Sequence, residues 1–315
     1  MRIANIWRII RDVDLDGIRA SALAPFEIWV AADEAGDAEE VTRLLSPAGE
    51  PHPWIVTIDA RNVPPAASRA VKAALLISRS IALSDALLHA RQALATARVP
   101  VVTVVVGHTG PAAAARGESE HARVAVTALD ASALAPVASA LLGAMGSDDR
   151  LAIARQLPPV RPMLFEMLIH DTAWANASFA LTTGLAETVP LLTAPLNVGD
   201  MIVLTKNQLM LGYRIVLASG RSGEPRRLIR EIIGVLGGGL LFRQIARQLV
   251  GLIPVAGIVP KVAVAYSGTW AIGRALAAWA NEGQEITRDR VRAYSAEAMG
   301  RGRAIAERLL ESRRR

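Results

Sequence analysis

The stretch that decides the fold is Phe26–Leu45, with the sequence FEIWVAADEAGDAEEVTRLL. It begins with the apolar run Phe26–Ala31 and ends in a segment with helical spacing, Asp37–Leu45. A short apolar run bounded by turn residues indicates a buried strand, and the spacing that follows indicates a helix. The stretch therefore predicts the first strand and helix of an alternating α/β domain.

Three further runs have the composition of strands that are buried on both faces. They are Trp54–Asp59, Val99–Gly107 and Arg123–Leu129. Helical patterns separate them, at Pro65–Leu76 with a continuation to about Arg98 and at Ser132–Ala144. This alternation predicts a parallel sheet with crossover helices over residues 24–146.

The connection between the first strand and its helix is where a phosphate-binding P-loop, Gly-x-x-x-x-Gly-Lys-Ser/Thr, would lie. The motif places Ala31 at the first glycine, Gly36 at the second, Asp37 at the lysine and Ala38 at the hydroxyl. A carboxylate at the lysine position repels phosphate by roughly 1 kcal/mol for each close pair of charges, even in water. Four more carboxylates flank this connection: Asp33, Glu34, Glu39 and Glu40. The pattern predicts a degenerate P-loop that binds no nucleotide.

The later strands end in reduced forms of the other guanine-nucleotide motifs. Asp59-Ala60-Arg61-Asn62 retains the aspartate of Asp-x-x-Gly, so Asp59 is a degenerate switch residue. Gly107-His108-Thr109-Gly110 follows the third strand, where Asn-Lys-x-Asp would read the guanine base. A different interpretation stays open, in which this is another doubly wound domain with no history of nucleotide binding.

The second half of the chain is basic, with 21 Lys and Arg against 12 Asp and Glu in residues 151–315. The first 150 residues carry 14 basic and 17 acidic residues. This asymmetry predicts an anionic partner for the second half, either a membrane surface or an acidic protein face. Nucleic acid is disfavoured because the arginines are interleaved with apolar helix and few aromatic residues accompany them.

Metal and cofactor sites are not predicted. The chain has no cysteine, which removes thiolate zinc sites, iron–sulfur clusters and thiol nucleophiles. The five histidines are scattered without the spacing of a metal site. No catalytic residue is proposed from the sequence.

Proline, glycine and charge divide the chain into five segments. Helical patterns dominate after the α/β domain, at about 163–190, 197–219, 225–250, 260–281 and 286–313. Thr287 is the expected N-cap of the last of these helices. The predicted segments are N-terminal amphipathic helices (1–23), the α/β domain (24–146), a Pro-rich linker (147–164), an apolar helical domain (165–285) and a basic C-terminal helix (286–315).

Two features of the apolar helical domain are candidate interaction sites. Asp200, Lys206, Asn207 and Gln208 form a polar cluster, interpreted as a buried network in preference to a ligand or partner-helix site. Residues 249–273 predict a helical hairpin whose apolar tip forms either the core of a soluble bundle or a membrane contact. The candidate tip residues are Leu252, Ile253, Pro254, Val255, Ile258 and Val259.

These features together resemble a bacterial family in which a small-GTPase-like domain precedes a helical domain of unknown function, number six-nine-seven. The resemblance lies in Asn176–Leu192, Pro195–Leu211 and Leu249–Gly273, and for the GTPase-like part only in outline. It implies a degenerate P-loop GTPase-like sheet followed by an all-α domain. It also implies relatives that bind GTP or belong to the bacterial inner membrane.

The predicted function is that of a non-catalytic pseudo-GTPase whose helical domain contacts a protein partner, another copy of itself or a membrane surface. The expected location is the cytoplasm, including a peripheral position on the inner membrane. Two alternatives stay open: an NTPase switch that a partner completes, and a membrane-inserted component.

Overall fold

A computed structural model describes residues 9–50, 52–65, 70–108, 121–186, 198–235 and 258–314. The chain divides into two compact units. The α/β unit is continuous in sequence, from Gly17 to Leu164, and the helical unit combines Met1–Asp16 with Phe165–Arg315. Both ends of the sequence therefore contribute to the same unit.

The α/β unit contains a sheet of five parallel strands in the order β2-β1-β3-β4-β5. The predicted parallel sheet of a mixed α/β fold is confirmed. The last strand begins two residues before its predicted start and ends three residues before its predicted end. The strands are β1 (Glu27–Ala32), β2 (Ile55–Thr57), β3 (Val71–Ser78), β4 (Val101–Val106) and β5 (His121–Val126).

The central strand β3 replaces a predicted helix, so the helical prediction for Pro65–Leu76 is wrong. Alanine and leucine dominate Val71–Ser78 and favour helix, but the strand pairs with β1 on one side and β4 on the other. Residues 73–78 are all buried. A short run that is apolar on every face carries no period, so local pattern alone cannot separate a buried strand from a buried helix.

Helices cover both faces of the sheet. Trp29, Leu76 and Leu87 belong to one cluster of buried side chains between the sheet and α3. Because side chains alternate along a strand, Ile28 and Val30 point to the opposite face, and α2 and α4 also contact the strands. The helices of this unit are α1 (Leu15–Leu23), which begins at the unit boundary, α2 (Ala35–Leu45), α3 (Asp85–Thr96), α4 (Leu134–Ala144) and α5 (Ser147–Gln156).

Residues 147–164, which the sequence predicts as a linker, are structured and belong to the α/β unit. Helix α5 is followed by a short 3₁₀ turn, Pro158–Val160. Leu151, Ile153 and Leu157 are buried. The prolines end α5 without exposing the chain, because apolar side chains before and after them pack into the core.

The helical unit is built around α9 and α10, which pack along each other. Gly302 of α10 lies so close to α9 that a Cβ there would be 2.6 Å from the carbonyl oxygen of Ala263. Thr287 accepts a hydrogen bond from the backbone N–H of Arg290, which confirms the predicted N-cap. The helices are α6 (Arg161–Ala186), whose residues from Phe165 onward belong to this unit, α7 (Val198–Ala218), α8 (Pro225–Val235), α9 (Ile258–Glu282) and α10 (Arg288–Arg314).

The described helices include none that combines the length and the apolar character needed to cross a bilayer. Most of the predicted hairpin tip, Leu252 to Val255, lies outside the described residues. Ile258 and Val259 are the first two residues of α9.

Candidate functional site

The connection between β1 and α2 is too short to wrap around a phosphate. Strand β1 ends at Ala32 and α2 begins at Ala35, so only Asp33 and Glu34 lie between them. Of the positions that the sequence analysis aligns with a degenerate P-loop, Ala31 is buried in β1, and Gly36, Asp37 and Ala38 lie in the first turn of α2. A P-loop places several backbone N–H groups around the phosphates, and this connection offers no such loop.

Gly36 is an ordinary helical residue in this arrangement. A Cβ at this position would meet no heavy atom within 4 Å. The glycine of a phosphate-binding loop is needed because a ligand or a strained turn leaves no room for a side chain. No strained turn is present at Gly36, which lies within the first turn of α2.

The carboxylate of Asp37 is buried and is held by Arg79, which lies just beyond the end of β3. Arg79 donates from Nε to Asp37 Oδ2 at 2.9 Å and from Nη2 to Asp37 Oδ1 at 2.7 Å. The Asp37 side chain is 3% exposed and that of Arg79 is 58% exposed. The hydrogen bonds and charge of Asp37, with the nearby charge of Glu34, raise the pKa of Arg79. A bidentate ion pair thus lies at the start of α2, where a phosphate would bind.

Two hydroxyl groups bind the neighbouring carboxylate, Asp33. Ser78 Oγ donates to Asp33 Oδ2 at 3.1 Å, and Ser84 Oγ donates to Asp33 Oδ1. Ser84 also accepts from the backbone N–H of Leu87, which makes it the N-cap of α3. The β3–α3 connection is therefore tied to the β1–α2 connection through Ser78, Arg79 and Ser84.

An open cavity of about 650 Å³ lies at the carboxyl end of the sheet beside these contacts. Its lining includes Asp33, Asp59, Ser84, Asp85, Arg61 and His89. The strand order reverses between β1 and β3, and ligands of doubly wound proteins bind at the carboxyl edge near such a reversal. The cavity therefore has the position of a ligand site, and its lining carries three carboxylates against one arginine.

Asp59, which the sequence analysis predicts as a degenerate switch residue, follows β2 at this edge. Its Oδ1 accepts from the backbone N–H of Arg61 at 2.9 Å, so the side chain closes a turn of its own backbone. His89 lies 3.4 Å from the carbonyl oxygen of Ala60 through its Nδ1 atom. These contacts hold the backbone at the rim of the cavity in place. Neither of them pairs a nucleophilic side chain with a base.

The donor set of the cavity fits neither a phosphate nor a metal ion. Phosphate would meet Asp33, Asp59 and Asp85. Across the described part of the chain, no group of three or more His, Asp or Glu side chains is placed to hold a metal ion. The arrangement links two loops through side-chain hydrogen bonds and the ion pairs of Arg79 with Asp37 and Glu34.

Sequence reasoning missed Arg79, Ser78 and Ser84. The positions of all three residues follow from the end of β3, and the composition of β3 is typical of a helix. If β3 is recognised as a strand, Ser78 and Arg79 fall at its carboxyl end, which parallel pairing brings beside Asp33 and Asp37. The signal is therefore present in the sequence but depends on the correct assignment of one element.

In the helical unit, part of the predicted polar cluster forms a buried network between three helices. Asn207 donates to Asn176 at 2.7 Å, and Asn176 donates to Thr269 at 2.9 Å. Gln208 also donates to Thr269, at 3.2 Å. Asn176, Gln208 and Thr269 are buried. The contacts link α6, α7 and α9 through side-chain hydrogen bonds.

The predicted cluster has two further members, Lys206 and Asp200. Lys206 is half-buried and makes none of these hydrogen bonds. Asp200 lies in the first turn of α7, and its side chain is outside the described part of the structure. Asn176 and Thr269 were missed because they lie 31 or more residues away from Asn207 and Gln208 along the chain.

Comparison of the chain with protein-family models, curated proteins and solved structures found no match.

Proposed function

We propose that this chain is a non-catalytic protein whose α/β unit is a degenerate P-loop GTPase-like domain. In this proposal the unit presents a rigid surface and does not bind nucleotide. The helical unit provides the contacts with a partner, and the described site contributes no catalytic residue or cofactor.

The observation that carries the proposal is the ion pair between Asp37 and Arg79. A helix N-terminus favours a negative charge, and in nucleotide-binding proteins the phosphate supplies it. Here Asp37 supplies it from within the helix and Arg79 neutralises it. A phosphate would have to displace a buried carboxylate from its partner and would gain no lysine or magnesium-binding hydroxyl in return.

The strand order supports the same proposal at the level of the fold. The parallel order β2-β1-β3-β4-β5 is that of a doubly wound domain. Other α/β families share this order, so the GTPase-like assignment rests on the positions of Gly36, Asp37 and Asp59 along the sequence.

Nucleotide binding by the full chain tests the proposal. We expect fluorescent GTP and ATP analogues with Mg²⁺ to show no saturable binding up to about 1 mM. A dissociation constant in the micromolar range would overturn the proposal. Gly36→Ala is the matched control, since it changes the same turn without touching Asp37 or Arg79, and we expect it to leave the result unchanged.

A further inference from the structure

No further inference is drawn: the strongest candidate, the open cavity at the carboxyl end of the sheet beside Asp33, Asp59 and Asp85, belongs to the site already described, and in the described part of the chain it is a cluster of acidic side chains to which no second observation assigns a ligand.

Discussion

Asp37 stabilises the start of α2 in the way that a bound phosphate does in a nucleotide-binding protein. The carboxylate lies in the first turn, where a negative charge interacts favourably with the helix dipole. Because the side chain is buried, it requires a partner, and both of its oxygens accept from Arg79. The ion pair with Arg79 is therefore a source of stability at the start of α2.

This arrangement predicts that Arg79→Gln destabilises the α/β unit. The variant leaves the buried carboxylate of Asp37 without its cationic partner, so the midpoint of thermal unfolding should fall. Arg61→Gln is the control, because Arg61 is also an exposed arginine at the same edge of the sheet. We expect Arg61→Gln to leave the midpoint unchanged, and equal effects of both variants on the midpoint would contradict the structural role of the ion pair.

At the scale of elements, α9 and α10 depend on one close approach. A Cβ at Gly302 would lie 2.6 Å from the carbonyl oxygen of Ala263, and backbone atoms cannot move aside as a flexible side chain can. Gly300 lies two residues earlier on the same helix and has no heavy atom within 4 Å of its Cβ position. The two glycines therefore have opposite roles.

This contrast predicts opposite effects of two small substitutions. Gly302→Ala should lower the free energy of unfolding by about 1–3 kcal/mol, because the added methyl group overpacks the helix contact. Gly300→Ala should raise it by up to about 1 kcal/mol, because alanine has the higher helix propensity. Urea unfolding followed by circular dichroism measures both values, and destabilisation by Gly300→Ala would show that α10 has a different packing face.

At the scale of the whole molecule, the α/β unit interrupts the sequence of the helical unit. Residues before Gly17 and residues after Leu164 belong to the same unit, and the Tyr213 hydroxyl donates to the carbonyl oxygen of Leu15 at 3.1 Å. This contact joins two residues that are 198 positions apart. The helical unit is therefore complete only when both ends of the sequence are present.

The division into two units predicts that defects in each unit combine independently. Arg79 and Gly302 belong to different units and share none of the contacts described above. In the double variant Arg79→Gln/Gly302→Ala, the changes in the free energy of unfolding should add within about 0.5 kcal/mol. Hydrogen exchange should show reduced protection within residues 17–164 for the first change and within residues 165–314 for the second. Loss of protection throughout the chain from either single change would contradict this independence.

The elements that the sequence predicts well are those with a clear local pattern. The valine-rich run of β4 and the apolar run of β1 are strands at their predicted positions, and α7 and α9 lie within two residues of their predicted bounds. The run of carboxylates at Asp33, Glu34 and Asp37 is also visible without a structure. By contrast, β3 has no period and a helix-like composition, so its assignment required knowledge of its neighbours β1 and β4.

The sequence by itself determined that the chain alternates strands and helices before a basic, apolar helical half. Only the tertiary structure decided which groups meet: Asp37 with Arg79 across 42 residues, and Asn176 with Thr269 across 93. The physical reason is the separation along the chain over which each kind of interaction acts. Hydrophobic period and capping act over a few neighbouring residues, whereas the partner of a buried polar group is selected by the packing of whole elements.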